Sequence, residues 1–143
     1  MKAWIFGAAM MLAGAAGAQQ FEYGFAGLMS HENRGELAPL TLGSGKPVAE
    51  EEYELRSGGY YRINIEADGS AELALSGGDF FRAIWINEIV VNQIEIRPMG
   101  VHSLEFDAAG EARLSFIAIS PGTYTLSIPG TSGETQRAVF NIR

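Results

Sequence analysis

The sequence contains no cysteine. It therefore has no disulfide, no thiol nucleophile and no thiolate to bind a metal. A chain of this kind must be held by packing, and its 47% apolar content supplies the material. Histidine is nearly absent: His31 and His102 are the only two, so an imidazole-rich site would have to bring both together. Basic residues are also scarce, with 10 Lys and Arg against 17 Asp and Glu and a net charge of −7. That balance argues against nucleic acid and anionic lipid as partners, since both need basic patches. After the first residues there is no apolar run approaching the roughly 20 residues that a membrane-spanning helix requires.

The one long apolar run is at the start. Lys2 supplies a positive charge, residues 5–15 are apolar, and Ala16, Gly17 and Ala18 give a small-residue exit before Gln19. This pattern reads as a secretory signal peptide over residues 1–18; the competing reading is an uncleaved anchor. Without a cysteine at the processing site a lipoprotein anchor is excluded. Export to the bacterial periplasm is the expectation. Losing Lys2 makes the rest of the chain one charge more acidic. About 125 residues then remain, enough for one domain with its own core.

Residues 19–52 are poorly periodic and read as an N-terminal extension. Phe21, Tyr23 and Phe25 alternate as a short strand would, residues 31–36 read as a polar surface loop, and Pro39 to Leu42 as a short edge strand. Gly43 to Pro47 forms a turn whose glycine spacing does not suit a phosphate loop. From Tyr53 the chain is strands and turns. Tyr61, Ile63 and Ile65 alternate with polar neighbours, Asp68-Gly69 signals a hairpin, and Leu73 and Leu75 alternate after it. Residues 80–91 are dense in aromatic and β-branched side chains. They read as a central strand buried on both faces, or as a strand with the Trp85 face open to a partner. Residues 114–128 read as strand, Pro121-Gly122 turn, strand, with Tyr124, Leu126 and Ile128 on one face and Thr123, Thr125 and Ser127 on the other. Ala138, Phe140 and Ile142 share a face of the last strand. Turn signals every eight to twelve residues mark a sandwich or small barrel.

Two stretches together resemble the cupredoxin family, the blue-copper β-sandwich. Residues 101–107 (VHSLEFD) are similar to the family's strand bearing its first copper ligand, and Pro121-Gly122-Thr123-Tyr124 is similar to its Pro-Gly-x-Tyr hairpin. The resemblance covers about residues 79–143. It implies an all-β, Greek-key β-sandwich over residues 53–143, with residues 19–52 as the extension. It also implies where copper ligands would stand. His102 matches the first imidazole, whereas Ile128 stands at the thiolate position, Thr131 at the second imidazole and Gln136 near the thioether. A type 1 centre needs a thiolate, two imidazoles and a weak axial donor, and this donor set does not supply them.

Two readings of His102 stay open. Counting by two places it with Leu104 and Phe106, so its ring points inward and bonds to backbone. Alternatively it is a remnant copper ligand, with Met99 nearby in sequence or with His31 and Met29 from the extension; thioether and imidazole suit Cu(I). Glu95, Glu105 and Asp107 have outward parity and read as solubilising groups. No Ser-His-Asp order, His-Glu-x-x-His or Gly-x-Ser-x-Gly is present. The expectation is a non-enzymatic, exported binding or accessory domain with a protein partner and no cofactor. The alternative is a periplasmic copper-handling protein.

Overall fold

The computed structural model describes residues 27–143; the signal peptide expected over residues 1–18 and the strand expected around Phe21 lie outside them. Eleven strands and one helix follow: β1 (Arg34–Glu36), β2 (Leu40–Leu42), β3 (Tyr53–Leu55), β4 (Tyr60–Ala67), β5 (Leu73–Ser76), α1 (Gly78–Ala83), β6 (Ile84–Val91), β7 (Ile94–Ile96), β8 (Ser103–Phe106), β9 (Gly110–Ala118), β10 (Gly122–Ser127) and β11 (Arg137–Ile142). One sheet runs β1-β4-β9-β6-β7, with β2 also on β4; the other runs β3-β11-β10-β5-β8. The chain is an all-β Greek-key sandwich.

Alternation builds the interior. Ile63 and Ile65 of β4, Leu114 and Phe116 of β9, Leu126 of β10, and Ala138, Phe140 and Ile142 of β11 all point between the sheets and are buried. The residues between them, such as Glu66, Thr123 and Thr125, face outward. Residues 34–36, expected in a loop, form a strand of the sandwich, and the strand expected at Pro39 to Leu42 is present as β2. β1 and β2 both run parallel to β4, pairing Arg34 with Tyr60 and Leu40 with Ile65. Pro39, which has no N–H to give a ladder, stands between them. Leu40, Leu42 and Val48 belong to the core.

Three local expectations are corrected. The Asp68-Gly69 and Pro121-Gly122 turns do not close hairpins: β4 and β5 lie in different sheets, as do β9 and β10. Each turn carries the chain across the end of the sandwich from one sheet to the other. The tight hairpin is instead β6–β7, where Val91 pairs with Ile94 across Asn92 and Gln93. Both turn residues have positive φ (48° and 69°), as a type I′ turn requires. Finally, residues 80–83 are helical. Phe80 and Phe81 are both buried while Asp79 and Arg82 are exposed. Adjacent inward side chains are impossible on one face of a strand and natural on a helix.

The two sheets are also joined by a buried phenol. The Tyr53 hydroxyl donates to the Ala38 carbonyl at 3.0 Å, and its ring stacks on Phe140 at 4.8 Å. Burial, helped by nearby Glu51, pushes the hydroxyl up to about 12 from its ordinary 10.0. The folded state thus prefers the neutral phenol. Its contribution is fully present below pH about 10 and is lost as pH rises toward about 12. Denaturant midpoints measured across that window should fall less in Tyr53→Phe than in the parent. Parallel declines in the two proteins would rule this contribution out.

Candidate functional site

The second sheet carries a gap. β10 pairs with β11 along its whole length, from Gly122–Ile142 to Ser127–Arg137. On its other side it meets β5 at one pair only, Ser127 with Ser76. β5 stops there because Gly77 and Gly78 turn the chain into α1. A Cβ on Gly77 would stand 2.3 Å from the Thr125 carbonyl oxygen, and one on Gly78 would stand 2.8 Å from His102 Nδ1. The approach at Gly77, against a strand carbonyl, requires glycine, whereas the exposed His102 ring could turn aside from a Cβ at Gly78. The same geometry shows that the Thr125 carbonyl faces away from β11. In a strand a residue's N–H and C=O point to the same side and alternate along the chain. The Thr123 and Thr125 backbone groups are therefore directed toward α1, along an edge with no neighbouring strand.

Between that edge and α1 lies an open groove of about 650 Å³. Ser76, Ser120, Thr123, Thr125 and Ser127 line it with hydroxyls, Asp79 and Arg82 add one charge of each sign, and His102 stands at one end. Asp79 and Arg82 are 3.7 Å apart and exposed, so their pairing contributes little stability and leaves both free to meet a ligand. At the far end the amides of Ile119 and Ser120 both donate to the Ala83 carbonyl at 2.9 Å, which fixes the helix against the loop before β10.

His102 does not point into the core as the count by two implied. It is exposed and precedes β8, whose ladder begins at Ser103 opposite Ser76. Its Nε2 lies 3.3 Å from the Ser76 hydroxyl, and its carbonyl accepts from the Gly77 amide at 3.2 Å. Met99 is fully exposed and lines a different hollow with Trp85 and Phe81. His31 and Met29 lead into β1, at the flank that the Tyr53–Ala38 hydrogen bond joins to β3. β3 and β8 are opposite edges of their sheet, so His31 and Met29 lie on the flank away from His102. The three positions where the resemblance would place further copper ligands sit in the β10–β11 loop. The Ile128 amide bonds to the Gln136 carbonyl at 3.0 Å, and the Thr131 hydroxyl to the Ile128 carbonyl at 2.7 Å. That loop leaves β10 beyond Ser127, on the side away from His102. The residues present do not fit a type 1 copper centre, and among the described residues no three His, Cys, Asp or Glu side chains cluster as a metal site would need.

The sequence reading missed Asp79, Arg82 and the free edge of β10. The available signal was the Ser76-Gly77-Gly78 break, which marks a close backbone approach as well as a turn.

The fold is cupredoxin-like. The solved structures that resemble it include a multicopper oxidase from Pseudomonas thermotolerans, with a TM-score of 0.56 and 12% identity over 78% of this chain and 30% of that one. A second multicopper oxidase matches with a TM-score of 0.52 and 8% identity over 76% of this chain and 44% of its own. A laccase-like multicopper oxidase from Ochrobactrum sp. matches with a TM-score of 0.50 and 7% identity over 79% and 32%. This chain thus spans less than half the length of each. No protein-family model matches the sequence, and no curated protein does.

Proposed function

We propose that the chain is an exported binding domain, without enzymatic activity of its own, that holds an extended polypeptide segment along the free edge of β10. The observation that carries this reading is the early end of β5, which leaves Thr123 and Thr125 with backbone groups directed into a groove. An extended peptide adding as a strand gains main-chain hydrogen bonds from such an edge and selectivity from alternate side chains. The hydroxyl lining suits polar side chains, while Asp79 and Arg82 would discriminate by charge. Export rests on the leader-like residues 1–18. An electron-transfer role has no support in the donor set.

The probe is a pool of displayed random peptides, from which a binder is selected and synthesised. Bound peptide is expected to slow hydrogen exchange at the Thr123 and Thr125 amides. Thr125→Pro, which removes one edge donor and is tolerated where a strand edge is unpaired, should weaken binding by about tenfold, a loss of one main-chain hydrogen bond and its alignment. Failure to select any peptide, or a peptide indifferent to Thr125→Pro, would overturn the reading. Cu(I) and Cu(II) titrations beside His102→Ala serve as the control. No stoichiometric copper that depends on His102 is expected, and finding it would favour copper handling instead.

A further inference from the structure

We infer that β7 pairs with β7 of a second copy, joining two first sheets edge to edge in a symmetric dimer. β7 is the outer strand of its sheet, and its far side has no neighbour among the described residues. Ile94 and Ile96 have the inward parity of their partners Val91 and Ile89, yet they are 64% and 45% exposed. Two inward-facing isoleucines left in water on an edge strand call for a cover.

The register of that cover can be derived. Val91 and Ile94 flank a two-residue turn, so they exchange hydrogen bonds with each other, and the backbone groups of Ile94 and Ile96 point to β6. Those of Glu95 and Arg97 then point outward. Directly opposed residues in an antiparallel pair share a face, so isoleucine must oppose an apolar residue across the new seam. A two-fold axis at Ile96 satisfies every requirement at once. Ile96 faces its own copy and Ile94 faces Pro98. Glu95 stands opposite Arg97 twice, and those two residues are the ones whose N–H and C=O are free to bond. β7 ends at Ile96, so the seam requires Arg97 and Pro98 to extend the strand as the copies pair; in that extension the missing N–H of Pro98 falls on the side away from the seam. An axis at Glu95 would instead oppose two carboxylates. In the single copy the Arg97 guanidinium is turned back toward β6, 2.9 Å from Asn87 Oδ1 and 3.4 Å from both Glu88 and Glu95, and forming the seam swings it outward to the Glu95 of the second copy.

The absence of cysteine makes the test clean. In the full-length protein, Ile96→Cys places two thiols on the axis at a non-hydrogen-bonded pair, about 4.5 Å apart at Cα, within the range of a disulfide. Ile94→Cys places them four residues apart along the seam, about 13 Å. Mild oxidation should therefore give a covalent dimer with Ile96→Cys and leave Ile94→Cys monomeric. By sedimentation the parent should dimerise with rising concentration, and Glu95→Arg, which turns two cross-strand attractions into repulsions, should weaken association by about tenfold or more. A parent that stays monomeric at the highest concentration reached would overturn the inference. So would equal cross-linking of the two cysteine variants.

Discussion

Phe80→Ala is expected to cost about 3–5 kcal/mol, the range for removing a buried phenylalanine. Phe80 is 0% exposed and is the point where three aromatic neighbours meet. Its ring lies 4.3 Å from Phe140, 5.6 Å from Phe81 and 5.8 Å from Phe116. It thereby ties α1 to both sheets, since Phe116 is on β9 and Phe140 on β11. The other ties of the helix are the two amides on the Ala83 carbonyl and the buried Phe81 ring. The helix is six residues long and has no side-chain cap at its start, and a helix of that length has no stability of its own in water. The alanine variant should therefore lose the wall of the groove along with its stability. Against a total of about 5–15 kcal/mol for a domain, the shift in denaturant midpoint will be large, and Phe80→Leu should recover part of it. A loss below about 1 kcal/mol, the scale of an ordinary surface change, would mean that α1 is not anchored here.

What the sequence made legible follows from which physical signals are local. The period of two in β4, β10 and β11 matched the observed burial, because alternation depends only on the strand and on one buried face. Turn chemistry was legible as well, since Gly69, with φ of 75°, sits where a turn signal stood. The partner of each strand was not legible. Asp68-Gly69 reverses the chain equally well into the neighbouring strand or over to the opposite sheet, and no local residue distinguishes them. The α1 segment failed for a related reason: apolar residues at both parities describe a doubly buried strand and a buried helix alike. His102 failed because the count by two was carried one residue past the start of the β8 ladder, where alternation no longer applies. The groove is a product of where β5 ends, and a sequence with two adjacent glycines announces a break without saying what stands beside it.

Those two glycines carry the second large expectation. Gly77→Ala should destabilise the fold by about 1–3 kcal/mol, the usual cost of overpacking. Backbone angle is not the cause, since Gly77 has φ of 179°, which any residue adopts. The cause is space: an added Cβ would stand 2.3 Å from the Thr125 carbonyl oxygen and 2.7 Å from Leu126 Cδ2. A backbone carbonyl within a strand cannot swing aside as a side-chain tip can. Gly77 also cannot retreat cheaply, because its amide donates to His102 and its carbonyl accepts from Phe81, at 3.2 Å and 3.0 Å. Relieving the clash must part β5 from β10 or pull α1 out of place, and either movement reshapes the groove. The variant should therefore lose peptide binding by more than its stability loss explains, measured where it is still fully folded. Gly100→Ala is the control, with nothing within 4 Å of its added Cβ and a stability expected within about 0.5 kcal/mol of the parent. If Gly77→Ala matched that control in both stability and binding, β5, α1 and β10 would not meet as closely as described, and the groove would lose its floor.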